Sequence, residues 1–151
     1  MIKPEVVIGL LRSLRTQIDP LRPLEGSDLK ELTADPLRWN GILHLLQVSI
    51  EHVTDISTHL LVGKNIDAPD SHRLIIRKLG EAGFLPDELA ERLAPMASFR
   101  NIVVHDYLTI DPAIVADILQ NHLNDFDEFA LHIYDYLRRE GHLPSSDEKH
   151  E

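Results

Sequence analysis

One short segment of the chain, from Ser98 to Tyr107, gathers side chains that can bind an anion and transfer a proton. Arg100 stays charged and can grip a phosphate or carboxylate with two parallel hydrogen bonds. His105 titrates near neutral pH, so it can act as a base or as an acid. A solvated helix face usually carries Lys, Glu and Gln, and this segment has none of them. The residue types therefore predict a semi-buried polar site, with Asn101 and Tyr107 beside the pair.

Helical geometry sets these polar residues apart from the apolar ones. At about 100° per residue, and with Met96 placed at about 0°, Phe99 falls at about 300°, so the predicted core face is centred slightly below Met96. Arg100 then falls at about 40° and His105 at about 180°, on the other arc. An angle of about 140° between Arg100 and His105 is awkward for a site within one chain. It favours a site assembled between two subunits.

The elements that must position this segment are helices. Apolar residues recur three and four apart along every long stretch, and the sequence contains no convincing alternating run flanked by hairpin turns. We therefore predict an all-α fold, an antiparallel bundle of four main helices plus short accessory helices. At 151 residues, the chain is long enough for one core without metal or disulfide staples. We expect a single domain over residues 1–140 and a polar, flexible tail over 141–151.

The helix boundaries follow from caps, glycines and prolines. Ser27 is expected to cap a short helical turn over 28–33, and Gly63 to stop the second long helix. Pro95 cannot donate its backbone amide, so it should split or kink the helix that carries Arg100. Gly141 should end the last helix. The main predicted helices span 4–18, 36–61, 71–83, 87–107 and 112–139.

Composition narrows the class of protein further. The net charge of -10 argues against a broad surface for duplex nucleic acid, which is usually basic. Most of this charge lies in residues 111–151, with 10 acids and 3 bases, so the middle of the chain can still present a small basic site. The chain has no cysteine and no apolar run long enough for a membrane span, so we expect a cytoplasmic protein without a membrane partner.

The run Arg100-x4-His105-x-Tyr107 resembles the Arg-x(4–6)-His signature of HEPN domains, in the form found in the HepT-like toxin ribonucleases. The resemblance covers roughly residues 1–140 and includes the layout of helix 36–61, Phe84-Leu85 and the Phe99-Arg100-Asn101 run. It implies a homodimer in which two motifs meet in a cleft and cleave RNA without a metal or other cofactor. Arg100 and His105 would be catalytic, and tRNA is one candidate substrate.

The same resemblance implies a partner and a modification. In that family, a MntA-type minimal nucleotidyltransferase antitoxin attaches AMP to the tyrosine of the motif and silences the nuclease. Tyr107 is the matching acceptor here. An adenylate at this position would bring negative charge and bulk to the phosphate site.

Other polar residues have a supporting role or none. Asn101 is expected to bind substrate or to hold a neighbouring carbonyl. Asp55 and His59 are candidates for orienting the motif from the neighbouring helix. Together with Glu51 they form a stripe at i, i+4 and i+8, but residues so spaced climb about 6 Å per step, too far for one metal ion. We therefore predict no metal site.

Three readings of the motif remain open. Arg100 is either part of a site or one half of an ion pair, with Glu91 or Asp106 as its partner. The alternative to a nuclease is a non-catalytic helical subunit that dimerises and binds a nucleotidyltransferase. A nucleotide-binding domain that uses Arg100 for phosphate would need a glycine-rich loop, which the sequence lacks. The intact Arg100 and His105 pair favours the enzyme.

Overall fold

The computed structural model describes residues 1–105 and 110–143, with the side chains of Ser98 and of residues 100–105 outside the description. Over the described residues the chain is helical and forms no strand, which confirms the predicted all-α fold. The helices are α1 (Pro4–Ile18), a 3-10 helix (Asp19–Leu24), α2 (Leu29–Thr33), α3 (Pro36–Gly63), α4 (His72–Glu81), α5 (Asp87–His105), α6 (Pro112–Asn121) and α7 (Leu123–Arg139).

The four longest helices form an up-and-down bundle. Helices α1 and α3 run antiparallel, because the Lys3 amide donates to His59 at 3.0 Å while Ser13, further along α1, lies 2.8 Å from His52, an earlier residue of α3. Helix α7 runs antiparallel to α5 in the same way, with Asp125 at its start on Arg92 and Tyr136 near its end against Phe84. The α1–α7 pair is antiparallel too. The bundle therefore brings the end of α5 and the start of α3 to the same side.

The core lies between the apolar stripes of these helices. Leu14 and Ile18 of α1 and Leu46 and Ile50 of α3 belong to one buried cluster, and each is at most 2% exposed. Burial of one such side chain contributes about 1.5–3 kcal/mol. The apolar spacing seen in the sequence thus identifies the faces that hold the bundle together.

Two predicted boundaries are wrong in detail. Asp28, not Ser27, caps α2, since its carboxylate accepts from the Glu31 amide at 2.9 Å. The Glu31 carboxylate in turn accepts from the Asp28 amide. This reciprocal pair is a capping box and satisfies two free amides at once. The last predicted helix is in fact two helices, because the helical backbone is interrupted at His122 between α6 and α7.

Gly63 does not stop α3 in the way predicted. The helix includes Gly63, and the left-handed turn falls on Asn65, with φ of 61°. Gly63 is needed for a different reason, because a Cβ built there would lie 2.6 Å from Ile2 Cγ1 and 3.0 Å from the Ile2 backbone nitrogen. The glycine therefore allows the segment before α1 to approach α3. Gly141, by contrast, has φ of 77° and ends α7 as predicted.

Helix α5 is continuous through Pro95 and reaches His105. Pro95 lies on the exposed side, where water can satisfy the carbonyl that its missing amide leaves unpaired. The first half of α5 packs closely on α4, since a Cβ at Gly80 would lie 2.8 Å from the Ala90 Cβ. The alternative of two separate helical segments is thereby excluded, and one continuous helix carries Arg100 and His105.

Candidate functional site

The backbone of α5 places Arg100, Asn101 and His105 on a single helix. Their side chains, and the whole of Tyr107, lie outside the described residues. Along the axis, five residues separate Arg100 from His105, a rise of about 7.5 Å. The backbone from Arg100 to His105 is helical without a break.

The face of α5 that packs on the core is wider than the sequence predicted. Leu89 and Leu93, at about 20° and 60° on the same helical wheel, are almost fully buried. Ala90, Ala94 and Ala97 extend this buried face to about 160°. Over the first half of α5, the arc assigned to polar residues is thus part of the core. The alanines caused the wrong prediction of this face. The small side chain of alanine gives little apolar signal in the sequence, but it allows α4 to approach α5 closely.

The described part of α5 next to the motif borders a groove against α6 and the start of α7, which we call the α5–α6 groove. Its volume is about 220 Å³. Met96 and Phe99 of α5 and Ile118 of α6 are buried around it, while Arg92 and His122 supply polar groups. The complete lining is Glu91, Arg92, Pro95, Met96, Phe99, Ile114, Asp117, Ile118 and His122.

An ionic network fixes this side of the bundle. Arg92 Nε donates to Asp125 Oδ1 at 3.1 Å, and Arg92 Nη2 lies 3.1 Å from Glu128 Oε2. His122 Nδ1 lies 2.8 Å from Asp125 Oδ2, and His122 Nε2 lies 3.3 Å from Asp117. Partial burial alone would lower the pKa of Arg92, but the bond to Asp125 and the surrounding carboxylates outweigh it and raise that pKa. Arg92 therefore stays charged and ties α5 to α7.

The acidic residues of α6 and α7 do not all form a solvated face. The Asp125 side chain is only 7% exposed, and Asp127 accepts two bonds from Arg22 at 2.7 and 2.9 Å. These bonds, with a second pair to Asp19, raise the pKa of Arg22 above its ordinary value. Asp125, Asp127 and Glu128 are therefore structural partners of distant arginines.

Asp55 and His59 lie toward the other end of the bundle. His59 Nε2 accepts from the Lys3 amide at the start of α1, and both residues line a groove with Met1 and Val62. Burial and the nearby Lys3 lower the pKa of His59, so its neutral form is favoured. Within one chain His59 contacts the start of α1, whereas the part of α5 next to the motif lines a groove with α6. The role of Asp55 and His59 as supporting residues stays a prediction.

Two further findings concern ligands and membranes. In the part of the chain that the structure describes, no three His, Asp or Glu side chains converge in a way that could hold a metal ion. No helix of the described residues is both long and apolar enough to cross a membrane.

The fold is that of a HEPN toxin. The chain superimposes on the tri-AMPylated Shewanella oneidensis HEPN toxin, solved in complex with an MNT antitoxin, with a TM-score of 0.77 and 25% identity. The match covers 86% of this chain and 97% of that one.

The family model described as ribonuclease HepT-like matches residues 12–133, and the chain belongs to this family. It is 26% identical over 125 residues to the mRNA nuclease HepT of Shewanella oneidensis, covering 83% of this chain and 93% of the relative. It is also 26% identical over 136 residues to the tRNA nuclease HepT of Aphanizomenon flos-aquae, covering 90% and 92%. The resemblance drawn from the Arg100 motif is thereby confirmed at the level of the family.

Proposed function

We propose that this protein is the toxin of a HepT/MntA-type toxin–antitoxin module, an endoribonuclease that needs no metal. Its site is composite, formed where two copies of α5 meet in a homodimer, with Arg100 and His105 as catalytic residues. The proposal rests on one observation above all. The matched region, 12–133, includes the whole of α5, and α5 carries the Arg100-x4-His105 pair on one uninterrupted helix.

The geometry of α5 supports a site shared between subunits. Cleavage of RNA by its own 2′-hydroxyl needs a base, an acid and a cation near one phosphate. One chain supplies a single His105 in this motif, so half of the acid–base work is missing. A two-fold axis provides a second copy of the same residue. The angle of about 140° turns Arg100 and His105 of one helix away from each other, so the same motif of the facing subunit supplies the group that one chain cannot bring to the phosphate.

The chemistry follows from these two residue types. One imidazole takes the proton of the 2′-hydroxyl, and the freed oxygen attacks the adjacent phosphorus. The P–O5′ bond breaks as the leaving oxygen takes a proton from the second imidazole. The products are a 2′,3′-cyclic phosphate and a free 5′-hydroxyl. The Arg100 guanidinium stabilises the additional negative charge of the transition state through paired hydrogen bonds.

AMPylation of Tyr107 by a MntA-type nucleotidyltransferase would silence this site. Tyr107 is two residues beyond His105 in the sequence, so an adenylate there adds an anion close to the phosphate-binding arginine. The support is the solved relative, a tri-AMPylated toxin bound to an MNT antitoxin. Incubation with ATP and the nucleotidyltransferase should add AMP to the parent protein but not to Tyr107→Phe, as read by intact mass. Tyr134→Phe, in α7, is the control that should still be labelled.

Cleavage assays test the catalytic assignment directly. His105→Ala should lower the rate by about 10²–10⁴, and Arg100→Ala by about 10²–10³. Labelled tRNA and mRNA are both used as substrates, because one relative is named for each. His44→Ala, at an exposed position of α3, should cleave like the parent. Chelation with EDTA should change nothing, and specific activity should fall when the protein is diluted enough to dissociate the dimer.

Normal cleavage by His105→Ala or Arg100→Ala would contradict the assignment of those residues. A parent protein that binds the nucleotidyltransferase but cuts neither RNA would favour the non-catalytic binding subunit.

A further inference from the structure

A second concave surface lies between α1 and α7, away from the α5–α6 groove. This α1–α7 groove has a volume of about 420 Å³, within the range of ligand sites in proteins. Beneath it lie Leu14, Ile18 and Phe126 of the core, and Ala130 and Tyr134 form one partly exposed side. The complete lining is Leu11, Arg12, Leu14, Arg15, Ile18, Asp19, Arg22, Phe126, Asp127, Ala130 and Tyr134.

The rim of the groove carries an excess of positive charge. Arg22 bridges the two helices by its paired bonds to Asp127 and also bonds Asp19 at 3.0 Å, so these three groups satisfy one another. Arg15 lies 3.8 Å from Asp19 with 81% of its side chain exposed. Among the described residues, the Arg12 guanidinium forms no ion pair or hydrogen bond. Three arginines against two carboxylates leave the rim positive by one charge.

This rim is an exception in an acidic chain. The whole protein has a net charge of -10, yet between Glu5 and Asp19 the charged side chains of α1 are Arg12 and Arg15 alone. An anion that approaches this side of α1 meets a locally positive strip. Arg12 and Arg15 are three residues apart, so both lie on one side of α1 and can grip the same anion.

We propose that the α1–α7 groove binds a nucleotide unit, with its phosphate on Arg12 and Arg15 and its base against Tyr134 and Ala130. Arginine binds phosphate by paired hydrogen bonds. An aromatic ring beside apolar surface accepts the face of a flat base. A small inorganic anion would use the rim but leave the apolar side of the groove empty. A nucleotide uses both.

The nucleotide has two sources, a free nucleoside monophosphate or one residue of an RNA strand. The second source rests on the proposed ribonuclease function, and the first does not. Arg22 bonds Asp127 near the start of α7, so this end of the α1–α7 groove lies at the same end of the bundle as the end of α5. An RNA strand bound at the α5 site would continue from there into the groove. A protein helix with an acidic face is a different occupant, and binding measurements separate it from these two.

Binding is measured by titration calorimetry with AMP and by fluorescence anisotropy with a labelled ten-nucleotide RNA. The His105→Ala background keeps the RNA uncut. Arg12→Gln/Arg15→Gln should weaken binding of AMP, of the RNA, or of both by about tenfold, the loss of roughly one charge-assisted contact. Tyr134→Leu should weaken the binding of the same ligand. Arg138→Gln/Arg139→Gln, at the end of α7, removes the same charge and should leave the affinity unchanged.

The two arms distinguish the sources and the proposals. Loss of AMP binding alone identifies a free nucleotide, and loss of RNA binding identifies a strand. Equal affinity for both probes in the Arg12/Arg15 variant and the parent overturns the inference, as does an equal loss in the Arg138/Arg139 control. A variant that loses only its affinity for the nucleotidyltransferase also overturns it, in favour of a protein partner. If the parent protein binds AMP in this groove but cuts no RNA, the proposed ribonuclease function is contradicted, whereas the assignment of the groove is supported.

Discussion

The two long seams of the bundle are held together in different ways. Helices α1 and α3 meet through neutral groups, with Ser13 on His52 and the Lys3 amide on His59, and through close approach at Gly63. Helices α5 and α7 meet through charge, with Arg92 between Asp125 and Glu128. The packing of α1 on α3 therefore depends on close fit, and the packing of α5 on α7 depends on ion pairs between particular residues.

The two seams should therefore tolerate different kinds of substitution. A neutral seam is disturbed by added volume, because close-packed backbone has no room for an extra carbon. An ionic seam is disturbed by the loss of one partner, which leaves the other charge without compensation. The ionic seam also includes α5, the helix that carries Arg100 and His105. Substitutions there should therefore affect both stability and the candidate site.

The largest effect is expected at Asp125. This nearly buried carboxylate serves Arg92 and His122 at once, so Asp125→Ala removes two charge-assisted bonds. We expect a loss of about 2–3 kcal/mol in the free energy of unfolding, measured by urea denaturation. Glu128→Ala is the matched control, since its carboxylate is 40% exposed and bonds the same arginine. It should cost less than about 1 kcal/mol. Equal losses in the two variants would mean that burial of Asp125 is irrelevant.

The neutral seam is tested by two glycines of the same helix. Gly63→Ala places a methyl group 3.0 Å from the Ile2 backbone nitrogen and should destabilise the protein by about 1 kcal/mol. Gly41→Ala meets nothing within 4 Å and should stabilise it by about 0.5–1 kcal/mol, because alanine is the better helix former. Thermal and urea unfolding of the pair measure both. Opposite signs support the close approach, and a gain in stability at both positions would refute it.

The neutral and ionic seams were not equally predictable from the sequence. The stripe of α1, from Val7 to Ile18, and that of α3 follow the helical period, so both helices and their buried faces were predicted correctly. The Arg92 network joins residues more than thirty positions apart. No local spacing reveals such a pair, and acids on one helix look the same whether they face water or a distant arginine.

The break at His122 and the role of Gly63 were missed for a related reason. The residues around His122 carry only a weak helix-stop signal, the asparagines at 121 and 124, since neither proline nor glycine is present there. In the structure the His122 ring lies between Asp117 and Asp125, and Arg92 of α5 bonds the same Asp125. Gly63 was read as a local signal, whereas its neighbour Ile2 lies far away in the sequence. The motif itself was readable, because Arg100 and His105 are close in the chain.

The smallest effect is the pH dependence of the neutral seam. His59 accepts the Lys3 amide bond through an unprotonated nitrogen, and burial together with Lys3 lowers its pKa from 6.5. Its unfolded form binds a proton first as pH falls, so the contribution of His59 to stability is fully present above 6.5 and declines below it, until the folded form is protonated too. Between pH 8 and pH 5 the parent should lose more stability than His59→Gln, whose amide oxygen accepts at any pH. His44→Gln, exposed on α3, should lose as much as the parent. Urea unfolding at both pH values measures the three, and a His59→Gln variant as pH-sensitive as the parent would show that the Lys3 bond does not depend on a neutral imidazole.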